Sequence, residues 1–276
     1  MPSVLVTGAA RGIGKSIVEY LAAQGWDVIA GVRSQQDAEA VTKADPQRIS
    51  AVILDVTDAG HIAALADALP ERLDAIVNNA GIAVGGAMET LTADEWRKQL
   101  EVNVIGQLAV TQAVLPRLRQ SRGRIVFISS VNGRLSMPLV GAYAASKFAL
   151  EAAADALRME LSPWKIPVVI VEPAQTDTDM WRTADSMVAE LEAGLTPEHR
   201  DLYAKHIAGM KKMIPMSQKM AVPAEKVSAV VEEALTARRP RARYVVGLAN
   251  RVQVVLMTNL PTRARDLVLR RVSRQP

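Results

Sequence analysis

Short, nearly unbroken apolar runs alternate with stretches of helical period through the first 175 residues. Residues 3–7, 27–32, 49–54, 73–77, 124–128 and 167–171 are each strand-length and apolar at consecutive positions, the pattern of strands covered on both faces. Between them, 15–24, a stretch capped by Asp58 and running to about Leu69, 92–105, 107–120 and an alanine-rich segment from Ala142 to about Pro163 read as helices. Strand and helix alternating in this way predict a single-domain α/β fold: a doubly wound (Rossmann) parallel sheet of about seven strands with helices on both faces, the seventh strand being 243–246. Ligands in that architecture gather outside the carboxyl ends of the strands.

The pattern then changes twice. Between Thr176 and Val222 strand spacing stops for about 47 residues, a length that predicts a lid over the substrate. Met180, Trp181, Met187, Met210, Met213, Met216 and Met220 fall here. Methionines adapt to irregular apolar shapes, so these suit a lipid-like ligand or, equally, a helix pair packing its own small core. From Arg238 to the end there are ten arginines against one acid, Asp266, and they frame the apolar stretches 250–257 and 267–272. Basic helices with apolar patches lie on anionic membrane surfaces, cover pockets or pack on a second subunit. Nucleic acid is disfavoured, because Tyr244 is the single aromatic among these arginines and no recognised reader motif accompanies them.

Composition narrows the chemistry. The chain has 276 residues, a net charge of +4 and no cysteine, so thiol nucleophiles, disulfides and thiolate metal sites are excluded. His61, His199 and His206 are scattered and have no partner at metal spacing, so no metal is expected. The N-terminus passes directly into a strand and no apolar run of about 18 residues occurs, which suggests a cytoplasmic setting.

Candidate functional residues collect at the predicted strand ends. After the first strand, Gly8, Gly12 and Gly14, with Arg11 and Ile13 between them, open a helix. Glycines there let backbone approach a pyrophosphate, whose charge sits on the helix N-terminus. The second strand ends at Arg33 without an acid, the arrangement that accommodates a 2′-phosphate, so NADP(H) is preferred over NAD(H). Asp55 and Val56 follow the third strand, and Asn79, Ala80 and Gly81 the fourth. Asn103 is a polar residue inside an apolar helical stretch. Ser130 follows the fifth strand. Tyr143 and Lys147, four apart, share a helix face, where an ammonium stabilises a phenolate. The sixth strand ends in Pro173, with Thr176 and Thr178 close behind.

Together Thr7-Gly8-x-x-x-Gly12-x-Gly14, Asp55, Asn78-Asn79-Ala80-Gly81, Asn103, Ser130 and Tyr143-x-x-x-Lys147 resemble the short-chain dehydrogenase/reductase family, strongly over about residues 3 to 180. The interval of thirteen residues from Ser130 to Tyr143 is similar to the family's. The resemblance implies an oxidoreductase interconverting an alcohol and its carbonyl. Tyr143 would be its acid/base. Lys147 would bind the nicotinamide ribose and lower the tyrosine's pKa, Ser130 would orient the substrate oxygen, and Asn103 would hold a water. Pro173-Ala174 departs from the family's Pro-Gly, and of the two threonines Thr178 fits the family spacing better. Residues 143–151 and 172–181 look like the retinol and hydroxysteroid dehydrogenase branch, which suggests an apolar substrate. Small residues at Ala152, Ala153, Ala154 and Ala156 on the Tyr143 helix, where the family commonly pairs subunits, imply a homodimer or homotetramer. The rival reading is a non-catalytic NADP(H)-binding sensor or scaffold, which has no need of Asn103, Ser130, Tyr143 and Lys147 together.

Overall fold

The computed structural model describes residues 1–178, 182 and 184–276. Seven strands lie in one sheet, β1 (Ser3–Thr7), β2 (Asp27–Val32), β3 (Ile49–Ile53), β4 (Ala75–Asn78), β5 (Arg124–Ile128), β6 (Val168–Glu172) and β9 (Arg243–Val245), in the order β3-β2-β1-β4-β5-β6-β9. Every neighbouring pair is parallel. The winding reverses between β1 and β4, which opens a crevice at their carboxyl ends.

The unbroken apolar runs are explained by the pleat. Val4 and Val6 of β1 enter one core with Val28, Ala30, Val77, Val126, Val169 and Val171. Leu5 faces the opposite core with Ile76, Ile125, Phe127 and Ile170. Helix α1 (Gly12–Ala23) buries Ile17, Val18 and Leu21 on the first face; α3 (Ala59–Ala68), α5 (Gln107–Ser121) and α6 (Gly141–Glu160) bury Leu65, Val110, Val114, Leu118 and Leu150 on the second. Each such side chain contributes about 1.5–3 kcal/mol relative to exposure, so both layers hold the strand ends in place.

Three elements depart from the sequence reading. Helix α2 (Gln35–Thr42), capped by the Ser34 hydroxyl, buries only Ala38 and Val41 and so carries little apolar period. Helix α4 (Ala93–Leu100) runs into α5 through a π-helical turn at Glu101–Gly106. In the predicted lid, two-residue strands β7 (Thr176–Asp177) and β8 (Val222–Pro223) pair in parallel, too short to show alternation. Between them stand α7 (Ala184–Gly194) and α8 (Pro197–Met220), whose Val188, Ile207 and Ile214 form a small core with Ala87 and Leu139. Among the methionines, Met210 joins that core, Met216 and Met220 are exposed, and Met180 lies outside the described residues, as does Trp181.

Helix α9 (Ala224–Thr236) packs on α1. The basic tail forms α10 (Leu248–Asn259) and α11 (Thr262–Val272), which bury Val254, Met257 and Leu269 against Leu135 and Met137. No described helix is long and apolar enough to cross a membrane.

Candidate active site

Strand β5 delivers Ser129 and Ser130 to the crevice. The Ser130 hydroxyl accepts the Asn132 amide at 3.1 Å, and the next amide, Val131, donates to the Pro173 carbonyl at 3.0 Å, tying this strand end to that of β6. Helix α6 then carries Tyr143 and Lys147. Nζ of Lys147 donates to the Ile128 carbonyl at 2.8 Å and lies 5.8 Å from the centre of the Tyr143 ring, while Ser130 reaches the Tyr143 hydroxyl. The ammonium is thus pinned by the last residue of β5.

Burial pushes the Tyr143 phenol above its ordinary value, the hydrogen bond from Ser130 acting against it. Desolvating a phenolate outweighs that bond, so the phenol holds its proton at neutral pH. Burial also brings Lys147 down to about 8, with the Glu151 carboxylate, one turn on, opposing the shift. Lys147 remains largely charged at neutrality.

Asn103 sits in the π turn, fully buried. Its Oδ1 accepts the Ile82 amide at 2.8 Å, and its Nδ2 donates to the Ile82 carbonyl at 2.9 Å and to Ser146 Oγ at 3.0 Å. The side chain therefore braces the segment after β4. A methyl added at Gly81 would come within 3.4 Å of Asn103 Oδ1 and 3.8 Å of Lys147 Nζ, so the two flank Gly81 closely.

Sequence reasoning missed two glutamines that hold the same segment as Asn103. Gln99 Oε1 accepts the Val84 amide at 2.7 Å and its Nε2 donates to the Ile82 carbonyl at 3.0 Å, and Gln107 Nε2 donates to the Ala80 carbonyl at 2.6 Å. The spacing of four from Gln99 to Asn103 to Gln107 was the available signal. Thr7 was also undervalued: its hydroxyl accepts the amides of both Asn79 and Ala80 at 3.0 Å.

The glycine turn is shaped by close approach. Gly8 and Gly12 have φ of +65° and +56°, and a Cβ on Gly14 would meet the Gly8 carbonyl oxygen at 2.2 Å and Asn79 Nδ2 at 2.5 Å. That amide donates to the Thr7 and Gly8 carbonyls at 3.0 and 3.1 Å. Ile13 packs at the edge of the core and Arg11 is exposed at the N-terminus of α1. The cradle fits a pyrophosphate: backbone amides at a helix start with a cation beside them.

Arg33 is exposed at the end of β2, and its charge reaches Asp55. Asp55 Oδ1 is held by the Thr57 amide at 2.9 Å, which keeps the carboxyl below its ordinary value. Val56 is buried against Gly106, leaving its backbone as the contact. Beyond Pro173, the Thr176 hydroxyl is taken by the Ala174 carbonyl at 3.2 Å, whereas the Thr178 side chain lies over Gly12.

An apolar pocket lined by Met88, Met137, Pro138, Leu139, Ala144 and Phe148 opens beside the start of α6. Leu139 takes φ +66°, an uncommon conformation for a branched residue, and its carbonyl accepts the Gly86 amide at 2.8 Å.

Residues 2–189 match the family model for short chain dehydrogenases. An NADPH-dependent 3-dehydrocapnine reductase of Ornithobacterium rhinotracheale is 32% identical over 278 residues, 97% of this chain and 96% of its own. Retinol dehydrogenase 16 of Homo sapiens is 35% identical over 283 residues, 99% of this chain and 89% of its own. A short-chain dehydrogenase structure from Streptomyces avermitilis superposes with a TM-score of 0.78 at 30% identity, covering 99% of this chain and 97% of that one.

Proposed function

From the chain's membership of the short-chain dehydrogenase family, near its retinol dehydrogenase branch, we propose that it is an NADP(H)-dependent oxidoreductase interconverting an apolar alcohol and its ketone or aldehyde, with Tyr143 as the acid/base. The observation that carries this reading is the Lys147 ammonium fixed at 2.8 Å to the Ile128 carbonyl, beside the Tyr143 ring and Ser130. A sensor that only bound the cofactor has no use for this constellation.

When bound, the cofactor gives or takes the hydride at its nicotinamide. The α1 N-terminus with Gly8, Gly12, Ile13 and Gly14 would hold its pyrophosphate, Arg11 and Arg33 its 2′-phosphate, and Asp55 and Val56 its adenine. The Asn79–Gly81 backbone, Pro173 and Thr178 would face the rest. In the reducing direction Ser130 and Tyr143 donate hydrogen bonds to the substrate carbonyl. As the carbon is reduced, Tyr143 releases its proton to the oxygen, and the charge left on the phenolate is stabilised by Lys147. A phenol whose value is raised by burial keeps the proton until that moment. In oxidation the same groups act in reverse.

The apolar pocket at the start of α6 and the reductase and dehydrogenase relatives support an apolar substrate. The outer side of α6 exposes Phe148 and Met159 among small residues, which supports pairing with a second copy. The outward side of α10 and α11, with Leu248, Leu256 and Val272 exposed among arginines, supports peripheral contact with an anionic membrane.

Tyr143→Phe removes the proton and little else. It should lower kcat by about 10²-fold or more while NADPH binding, followed by fluorescence, stays within about twofold of wild type. Unchanged turnover would overturn the acid/base role.

A further inference from the structure

One turn past Lys147 on α6 stands Glu151; across from it, at the end of β6, stands Glu172. The Glu172 side chain is fully buried, and neither of its carboxylate oxygens has a hydrogen-bond partner among the described residues. Its cations stand off, Arg243 Nε at 3.5 Å and Arg134 Nη1 at 3.8 Å. Arg243, brought in by β9, is committed elsewhere: its Nε donates to Glu151 Oε2 at 2.9 Å and its Nη2 to Asp155 Oδ2 at 2.6 Å. Asp155 is also held by Arg158. The site is tightly closed, since a Cβ on Gly133 would meet Ser129 Oγ at 2.7 Å and Glu151 Oε1 at 3.1 Å.

Two buried carboxyls therefore share one well-placed guanidinium. Ionising both sets like charges side by side in a medium that screens them poorly, so one keeps a proton. The better-bonded Glu151 is the natural anion, and the unbonded Glu172 the natural acid.

We propose that Glu172 carries the proton of a buried carboxyl pair, leaving Glu151 ionised as the counter-charge that keeps Lys147 an ammonium. Both are positioning residues, acting on the reaction through Lys147, and this part rests on the role given to Lys147 above. Burial, and then the Glu151 charge, push Glu172 up to about 7, with Arg134 and Arg243 pulling back. Glu151 is raised by burial too, but Ser129 and Arg243 oppose this.

The first test needs no activity. Below about 4.5, Glu172 is protonated whether the chain is folded or not; between there and about 7 only the folded protein keeps the proton. Folded stability therefore falls as pH rises through that window and stays reduced above it. Glu172→Gln is neutral at every pH and escapes the loss. Its melting temperature relative to wild type should climb from pH 5 to pH 8.

The second test is kinetic. Removing the Glu151 charge lowers the pH at which Lys147 loses its proton. In Glu151→Gln the alkaline limb of kcat/KM should move down by about one pH unit, about tenfold in rate at the edge. Should Glu151→Gln not fold, a carbon-13 carboxyl titration replaces it: wild type shows one glutamate titrating near 7 that Glu172→Gln lacks. Parallel melting profiles, or no such glutamate, would overturn the shared proton. A melting difference with an unmoved alkaline limb would overturn the link to Lys147 and leave the family assignment untouched.

Discussion

Arg33 illustrates how one exposed side chain sets a preference. At the end of β2 an acid would accept bonds from a ribose hydroxyl; a guanidinium repels nothing there and attracts a phosphate. Asp55 is near enough to feel its charge but is bonded to Thr57, so Arg33 remains open to a ligand. Arg33→Ala should cost at least tenfold in NADPH affinity, about 1.4 kcal/mol, with NADH affinity little changed. Equal losses for both cofactors in a fluorescence titration would reduce Arg33 to a surface charge. Residues of this kind were legible in sequence, because a strand end or a spacing of four places them without further information. Glu172 and Arg243 were not. Their meeting depends on the β6–β9 register, which sets Ile170 against Arg243 and Glu172 against Val245 across some 70 residues of intervening chain.

Among the elements, the π turn between α4 and α5 does most to organise the site. Its wider winding presents Gln99, Asn103 and Gln107 to one loop, whose backbone from Ala80 to Val84 they hold. Gly106 makes the turn fit, since a Cβ there would meet the Val56 carbonyl oxygen at 2.5 Å. Asn103→Ala should leave the Ile82 amide without its partner, at about 1–3 kcal/mol, while the Ile82 carbonyl keeps Gln99 Nε2. Its melting temperature should drop several degrees, and cofactor binding should weaken with it. A variant that melts with wild type would show the brace to be dispensable. Sequence located both helices but not the turn, because apolar period looks alike on either side of one extra residue. Helix α2 and the pair β7–β8 escaped for the opposite reason: two buried residues, or two-residue strands, carry no period.

For the whole molecule, the alternation of strand and helix was enough to give the parallel sheet and its ligand-binding edge, since unbroken apolar runs have few other homes. What lies on the outside was less legible, as exposed apolar residues look the same whatever covers them. Phe148 is 44% and Met159 67% exposed on α6. Replacing Phe148 and Ala152 together by Arg should convert a dimer or tetramer to a monomer in sedimentation; a wild type that sediments as a monomer at all concentrations removes the interface. Strand β9 joins the sheet last in chain order and brings Arg243 with it. During synthesis, then, a chain that has emerged only through α9 already carries both glutamates and Arg134, but not the guanidinium that holds Glu151 and Asp155. The sheet's final pairing and the completion of this buried charge cluster are one step.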